Sequence, residues 1–160
     1  MSSRVIWLTG LPCSGKTTLA LSLKKILGGY ILDGDDLRKG LCSDLGFSKK
    51  DRDENIRRVG EVAKMLKGNV VVSLVSPYRE SRDKVRELIE LEKDFIEVYV
   101  DCDLSVCEER DVKGMYAKSI TPLTPVYEPP LNPEVHVKTD DNCISECLEQ
   151  ILEVIDNESI

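Results

Sequence analysis

The run Gly10-Leu11-Pro12-Cys13-Ser14-Gly15-Lys16-Thr17 decides the fold of this chain of 160 residues. The apolar run Val5-Ile6-Trp7-Leu8-Thr9, which predicts a buried strand, comes directly before it, and a stretch with helical periodicity follows it. Glycines in such a loop let backbone N–H groups turn inward around a phosphate, and the helix N-terminus adds the positive end of its dipole. Lys16 can then reach the β- and γ-phosphates of ATP, and the Thr17 hydroxyl can coordinate Mg²⁺. The loop residues predicted to contact ATP are Gly10, Leu11, Pro12, Cys13, Ser14, Gly15, Lys16, Thr17 and Thr18.

Outward from this loop, short apolar runs alternate with amphipathic stretches, which is typical of a parallel α/β sheet flanked by helices. The remaining predicted strands are residues 30–32, 70–75, 95–100 and 134–138. The first helix is predicted to bury Leu19, Leu23, Ile26 and Leu27, and the later helices are residues 49–67, 79–92, 104–110 and 144–155. Residues 114–133 hold five of the seven prolines and are predicted to be irregular. With no repeat and no linker, we expect residues 1–160 to form a single domain with about five parallel strands.

The composition excludes several classes of protein. A formal net charge of -7 and a pI near 4.9 argue against a nucleic-acid or anionic-membrane binder, because both need a basic face. No apolar run approaches the ~20 residues of a membrane span, and the first residues leave no room for a signal peptide, so we expect a cytoplasmic protein. Six scattered cysteines predict reduced thiols rather than disulfides or a zinc site. The single histidine, His136, lies in a predicted strand, which excludes His-based triads.

Two aspartates mark the second functional position. The pair Asp33-x-Asp35 follows the second strand, at the edge where open α/β sheets bind ligands. A kinase that acts on a hydroxyl needs a carboxylate to orient the acceptor oxygen and take its proton, and Asp35 is the candidate. The alternative is an ordinary Asp-Gly turn. For a metal-binding Asp at the end of a strand, the candidate is Asp101, although a capping role for the helix after it is the better interpretation.

Positive charge is concentrated just after this aspartate pair. In an acidic protein such a cluster favours an anionic acceptor, because guanidinium groups bind phosphate or sulfate bidentately. The alternative is a solvated helix face paired with nearby acidic residues. Phe47, in the middle of the cluster, could stack on a base or anchor a loop in the core. The polar members of the cluster are Arg38, Lys39, Arg52, Asn55, Arg57 and Arg58.

Several blocks of residues carry a resemblance to a known family. Besides the phosphate loop, they are Leu32-Asp33-Gly34-Asp35-Asp36-Leu37-Arg38, Asp44-Leu45-Gly46-Phe47-Ser48, Asp51-Arg52-x-x-Asn55-Ile56-Arg57-Arg58-Val59-Gly60-Glu61-Val62-Ala63-Lys64, Ser76-Pro77-Tyr78-Arg79, Phe95-Ile96-Glu97-Val98-Tyr99-Val100-Asp101, Cys107-Glu108-x-Arg110-Asp111-x-Lys113-Gly114 and Tyr127-Glu128-Pro129-Pro130. Over nearly its whole length the chain resembles adenylylsulfate (APS) kinases. The resemblance implies a P-loop nucleotide-kinase fold and transfer of the γ-phosphoryl group of MgATP to the 3′-hydroxyl of APS, giving PAPS in sulfate assimilation. It also implies a homodimer.

The resemblance assigns roles position by position. It implies a catalytic set of Asp35, Lys16 and Ser76, and it places Arg110 over the ATP side. The serine of the family's Ser-Pro pair is often described as a phosphoserine intermediate, but direct in-line transfer needs no covalent step, so a hydrogen-bonding or Mg²⁺-shell role is preferred for Ser76. The implied acceptor-binding residues are Asp35, Arg38, Phe47, Arg52, Asn55, Val75, Ser76 and Lys113.

Three departures from the family pattern concern the loops. Pro12-Cys13 replaces the common Ser-Gly, the stretch between Leu66 and Val70 is short, and the lid, at about residues 114–133, is shortened. After Met115-Tyr116 it lacks the family's second aromatic residue for the base. One base stack is worth ~1–3 kcal/mol. The loss of one stack predicts either weaker binding of APS or a different nucleotide acceptor, such as cytidine diphosphoramidate in capsule synthesis. A third hypothesis, a regulatory subunit without catalysis, is opposed by the intact Lys16 and Asp35.

Overall fold

The computed structural model describes residues 2–111, 114, 116 and 127–159. Five strands and six helices follow one another along this part of the chain. The strands are β1 (Arg4–Thr9), β2 (Tyr30–Asp33), β3 (Val70–Ser73), β4 (Asp94–Asp101) and β5 (Val135–Lys138). The helices are α1 (Lys16–Leu27), α2 (Gly34–Leu37), α3 (Lys49–Met65), α4 (Arg79–Glu90), α5 (Leu104–Glu109) and α6 (Ile144–Asn157).

The strands form one parallel sheet in the order β2-β3-β1-β4-β5. β1 is central and buried along its whole length, between β3 and β4. Because parallel strands all end at the same edge, this order brings the residues that follow β1, β2 and β3 to one side of the sheet. The parallel α/β sheet predicted from the sequence is confirmed.

Two apolar cores cover the two faces of the sheet, because successive side chains of a strand point to opposite faces. From β1, Ile6 and Leu8 pack with residues of α1 and α6, whereas Val5 and Trp7 pack with residues of α3 and α4. Both faces are thus sealed by helices, and the carboxyl edge of the sheet is left for ligands.

The predicted helices and strands are observed with small shifts at their ends, but three details differ. Ile26 was predicted to face the core and is 55% exposed, so this prediction is wrong; Leu19 and Leu23 are buried as predicted. The strand predicted for residues 70–75 ends at Ser73, and the sequence patterns did not predict the short helix α2. Within the described residues, no helix is long and apolar enough to cross a bilayer.

Candidate active site

The loop between β1 and α1 has the backbone geometry of a phosphate-binding turn. Gly15 adopts a φ of 106°, a conformation that costs any residue with a side chain about 1–2 kcal/mol, and Cys13 has a φ of 64°. A Cβ atom on Gly10 would lie 2.3 Å from the carbonyl oxygen of Val100, so only glycine permits the close approach of the loop to β4. Glycine is therefore required at position 10 by the close contact and favoured at position 15 by its φ.

Lys16 folds back across this loop. Its Nζ donates hydrogen bonds to the carbonyl oxygens of Gly10, at 2.9 Å, and Leu11, at 2.7 Å. Burial lowers its pKa from 10.5 to about 8, against the smaller opposing effect of nearby groups that include Asp33 and Asp35. The ammonium group thus lies in a poorly solvated position, where a phosphate would stabilise its charge.

The aspartates of the Asp33-x-Asp35 pair have different surroundings. The Oδ1 atom of Asp33 accepts a hydrogen bond from the Thr17 hydroxyl at 2.9 Å, and Oδ2 accepts one from the backbone N–H of Asp35 at 3.3 Å. Asp33 thereby caps α2. Asp35, in the first turn of that helix, is exposed and lines the pocket beside the phosphate loop. The arrangement leaves the Asp35 carboxylate accessible to an acceptor.

The Thr17 hydroxyl and the Asp33 carboxylate are oxygen donors of the kind that Mg²⁺ prefers. Among the described residues, no group of three or more His, Cys, Asp or Glu could hold a metal ion by itself. A Mg²⁺ ion here would therefore take most of its ligands from nucleotide phosphates and water, which is the usual arrangement in phosphoryl-transfer sites.

One pocket of about 760 Å³ joins the phosphate loop to Asp35 and Val75, whereas the other described acceptor residues predicted from the sequence lie outside its lining: Arg38, Phe47, Arg52, Asn55 and Ser76. The phosphate loop forms one wall, and the carboxyl ends of β2 and β3 form another. Of the predicted site residues, the pocket is lined by Pro12, Cys13, Gly15, Lys16, Thr17, Thr18, Asp35, Val75 and Arg110. The donor loop and the proposed acceptor carboxylate therefore share one cavity.

A third wall of this pocket was not found from the sequence. It is formed by Thr139, Asn142, Cys143 and Ile144, which follow β5. Arg110 donates to the carbonyl oxygen of Thr139 at 2.8 Å and to its hydroxyl at 3.3 Å, and that hydroxyl donates to the Ser14 carbonyl at 2.5 Å. The available signal was the position of these residues after the carboxyl end of a predicted strand, where open α/β sheets bind ligands.

The predicted acceptor residues meet around the loop that precedes α3. Arg38 donates to the carbonyl oxygens of Leu45 and Gly46, each at 3.1 Å, and its guanidinium lies 4.2 Å from the centre of the Phe47 ring. Arg52 donates from Nε to the Phe47 carbonyl at 2.9 Å. Phe47 itself is 40% exposed, so its ring is not buried in the core, and the guanidinium of Arg52 lies 5.4 Å from its centre.

Asn55 completes this group from the first turns of α3. Its side chain is buried, and its Oδ1 atom has no hydrogen-bond partner among the described residues. An unpaired buried carbonyl costs about 1–3 kcal/mol, which a ligand donor at this position would recover.

The other two arginines of the cluster have a different role. Arg57 pairs with Glu54 at 2.7 Å, and Arg58 pairs with Asp44 at 2.6 Å and with Glu54 at 3.0 Å. For these two residues, the alternative of a helix face with paired charges is the one that the structure supports.

Ser76 follows β3 in an unusual conformation. Its φ is 49°, in the left-handed region, and the residue is only 3% exposed. The indole Nε1 of Trp7 donates a hydrogen bond to its hydroxyl at 2.9 Å, and this hydroxyl does not line the pocket. The geometry favours the hydrogen-bonding role preferred from the sequence over a covalent intermediate. The neighbouring Val75 does line the pocket.

Two further predictions concern the region around β4. The cap of α5 is Asp103, whose carboxylate accepts from the Ser105 N–H at 3.0 Å, so the capping role preferred for Asp101 is wrong. Asp101 instead lies 2.9 Å from His136 and accepts from the Tyr99 hydroxyl at 3.3 Å. Lys113, assigned to the acceptor side, and most of the shortened lid lie outside the described residues.

A lysine-bearing phosphate loop after the central strand of a parallel sheet, with an acidic pair at the carboxyl end of the edge strand β2, defines the class of P-loop phosphotransferases. Comparison with known proteins identifies the family. A model of the family described as adenylylsulphate kinase matches residues 2–138, and the chain belongs to this family.

Individual relatives agree with that assignment. The adenylyl-sulfate kinase of Acaryochloris marina is 46% identical, and the match covers 99% of this chain and 84% of the relative. That alignment runs over 173 positions, more than the 160 residues of this chain, so the relative carries residues that this chain lacks. The adenylyl-sulfate kinase of Saccharomyces cerevisiae is also 46% identical, over 97% of this chain and 85% of the relative.

Among solved structures, the Mycobacterium tuberculosis APS kinase in complex with AMPPNP and APS has a TM-score of 0.89 and 36% identity, and the match covers 97% of this chain and 98% of that one. A gluconokinase from Sinorhizobium meliloti, at 21% identity and a TM-score of 0.73, shares the fold alone.

Proposed function

We propose that this protein transfers the γ-phosphoryl group of MgATP to the 3′-hydroxyl of adenosine 5′-phosphosulfate, giving PAPS. The observation that carries the proposal is that Lys16 and Thr17 of the phosphate loop line the same pocket as Asp35. Relatives at 46% identity are named adenylyl-sulfate kinases, and a structural neighbour holds both AMPPNP and APS.

The donor half of the reaction rests on the phosphate loop. Its backbone N–H groups and the N-terminus of α1 bind the phosphates, and Lys16 moves from the loop carbonyls to the γ-phosphate, where its charge stabilises the transition state. Thr17 and Asp33 are positioned to hold Mg²⁺, which when bound neutralises charge on the phosphate oxygens. Arg110 and the segment after β5 enclose the rest of the nucleotide.

The acceptor half rests on residues of α2, α3 and the loop between them. Asp35 orients the acceptor hydroxyl and takes its proton as the oxygen attacks in line. Arg38 and Arg52 bind the phosphosulfate, Asn55 offers its unpaired carbonyl to a ligand donor, and Phe47 packs on the base. Since direct transfer needs no covalent step, Ser76 acts by holding the end of β3 in place.

The assembly and location of the protein are part of the same proposal. We expect a homodimer in the cytoplasm, bound to no nucleic acid and to no membrane. The family resemblance and the net charge of -7 support this expectation. Light scattering on the purified protein tests the assembly, and a monomer at working concentration would contradict it.

The test of the function is phosphoryl transfer by the purified protein from MgATP to APS, with a cytidine diphosphoramidate acceptor in parallel. PAPS formation is expected with APS. Turnover with the cytidine compound alone would overturn the substrate and retain the reaction class, and the absence of turnover with either would favour a regulatory protein. The relatives favour APS over the cytidine acceptor.

Asp35→Asn tests the acceptor carboxylate. Removing the general base should lower kcat by about 10²–10⁴-fold while MgATP binding is retained, because Asp35 acts on the acceptor. The matched control is Asp36→Asn, since Asp36 is 74% exposed and pairs at the surface with Lys39. If both variants kept the wild-type kcat, Asp35 would be removed from the mechanism.

A further inference from the structure

Arg82, in the second turn of α4, is the least exposed charged side chain in the described part of the chain, at 2% of its full exposure. All parts of its guanidinium are engaged. Nε lies 3.4 Å from Glu97, while the two terminal nitrogens donate to the carbonyl oxygens of Ser76 and Glu128, each at 2.5 Å. Burying a cation is costly, and a buried ion pair is weak evidence of a stabilising role. The role of Arg82 is therefore inferred from its hydrogen bonds to the two carbonyl oxygens, which join the backbone at Ser76 to the backbone at Glu128.

The first carbonyl belongs to Ser76, the residue after the acceptor wall, which is the part of the pocket lined by residues 73–75. Ser76 has its φ at 49° and follows Val75, which lines the pocket. The Thr9 hydroxyl donates to the carbonyl oxygen of Val75 at 2.7 Å, and the Trp7 indole donates to the Ser76 hydroxyl at 2.9 Å. Arg82 adds the contact to the Ser76 carbonyl itself, so a conformation that costs about 1–3 kcal/mol is held from several sides.

The second carbonyl belongs to the chain segment of residues 127–129, where the described range 127–159 begins. The Glu128 N–H donates to the carbonyl of Pro77 at 2.7 Å, and the Glu128 carboxylate accepts from the N–H of Arg79 at 2.9 Å. The Tyr127 hydroxyl lies 3.0 Å from the hydroxyl of Thr9. This segment is thus attached to the same turn that carries Ser76, and Arg82 lies between them.

We infer that Arg82 is a positioning residue for phosphoryl transfer: it holds the Val75–Ser76 backbone and the segment of residues 127–129 in one fixed arrangement at the acceptor wall. It lines no part of the pocket and acts through the residues it holds. The inference rests on the proposed function, because its consequence is measured on the transfer of phosphate to APS.

Only a guanidinium can make these contacts together. Its planar fork presents separate N–H groups to the two carbonyls and to Glu97, whereas an ammonium is a compact point charge on a flexible stem. Arg82→Lys therefore keeps the charge beside Glu97 and loses the bridge between the two carbonyls. It separates the positioning role from the electrostatic one.

Arg86, one turn further along α4, provides the matched control. It donates to both oxygens of Glu134, at 2.5 and 2.9 Å, and lies 3.8 Å from the same Glu97, but it touches neither Ser76 nor Glu128. Arg86→Lys therefore disturbs the charges around Glu97 without disturbing the acceptor wall.

The experiment measures kcat and both KM values for wild type, Arg82→Lys and Arg86→Lys, each checked for folding by circular dichroism. In Arg82→Lys we expect kcat/KM for APS to fall by on the order of 10–100-fold, since small misplacements at a reacting centre have effects of that size. KM for ATP should stay within about twofold, because the phosphate loop is untouched. Arg86→Lys should keep wild-type kinetics.

Fluorescence of Trp7, the only tryptophan in the chain, supplies a second readout, because its indole donates a hydrogen bond to the Ser76 hydroxyl. Its emission should shift in Arg82→Lys and stay unchanged in Arg86→Lys. A folded Arg82→Lys protein with wild-type kcat/KM for APS, or with the same losses as Arg86→Lys, would overturn the inference. Absence of turnover in the wild type would instead overturn the proposed function, so the two failures are distinguishable.

Discussion

The buried position of Lys16 makes ATP binding depend on pH in a way that can be worked out from the structure. Burial lowers its pKa to about 8 in the unliganded protein, from an ordinary value of 10.5. Bound phosphates hold the ammonium charged, so above the unliganded pKa the protein must take up a proton when ATP binds. At about pH 9, one unit above that pKa, only about a tenth of the unliganded molecules carry the charge. The affinity for MgATP should therefore fall about tenfold between about pH 7 and about pH 9, equivalent to about 1.4 kcal/mol.

Isothermal titration calorimetry without acceptor tests this prediction. Titrations at about pH 9 in two buffers of different ionisation enthalpy give the number of protons taken up, which should be about 0.9 per ATP and close to zero at about pH 7. Lys16→Arg, whose charge does not titrate in this range, should show no uptake. Lys39→Gln is the matched control, since Lys39 lines the same pocket with 76% of its side chain exposed, and it should keep the wild-type uptake.

The affinity for MgATP is measured rather than the free energy of unfolding, because different titrating groups change the free energy of unfolding in opposite directions as pH rises. Because the pKa of Lys16 is lowered in the folded protein, the unfolded chain binds more protons than the folded one above about pH 8. The contribution of Lys16 to the free energy of unfolding therefore rises with pH until the pH reaches the ordinary lysine pKa of 10.5. Burial raises the pKa values of Cys107 and Tyr99, each to about 12. Their contributions to the free energy of unfolding are therefore present below the ordinary pKa values of these groups and are lost as pH rises through the raised values. An unchanged MgATP affinity at about pH 9, with no proton uptake, would refute the reasoning about Lys16.

Two further predictions concern the phosphate loop. Gly15→Ala should lower the free energy of unfolding by about 1–2 kcal/mol in urea titrations, because its φ is 106° and the new Cβ would lie 3.4 Å from the Thr139 methyl group. Gly40→Ala, with nothing within 4 Å of its Cβ, should show no such loss, and equal effects would contradict the argument. Cys13, which lines the pocket, should be alkylated by iodoacetamide more slowly in MgATP than in adenosine, followed by peptide mass spectrometry. Equal rates would place its thiol outside the phosphate site.

Local patterns were sufficient for the donor half of the site. The order of strands and helices follows from periodicity along short stretches, and the phosphate loop is contiguous, so residues 10–18 could be assigned without knowledge of the tertiary structure. Asp35 could also be placed, because it follows a strand whose carboxyl end faces the ligand edge in any parallel sheet. The exposed Ile26 shows the limit of the same reasoning. Helical spacing predicts which residues of α1 share one face, but the extent of the sheet and helices packed against that face decides which of those residues are buried.

The charge cluster after Asp35 shows a second limit. Its composition did not separate arginines that could bind an anion from arginines paired on the surface. In the structure, Arg57 and Arg58 pair with acidic neighbours at 2.7 and 2.6 Å, whereas Arg38 packs on the ring of Phe47. Spacing along a helix gives the direction of a side chain, but the partner depends on which loop folds against it.

The sequence by itself determined the class of fold, the phosphate loop and the place of Asp35 at the ligand edge of the sheet, since each is encoded within a few consecutive residues. Only the tertiary structure decided how Ser76 is used and how the pocket is closed. The bond from Trp7 to Ser76 joins residues 69 apart, and the contact of Thr139 with the Ser14 carbonyl joins residues 125 apart. Such contacts depend on the order β2-β3-β1-β4-β5. That order is selected by the packing of whole faces against one another, and no local spacing records it.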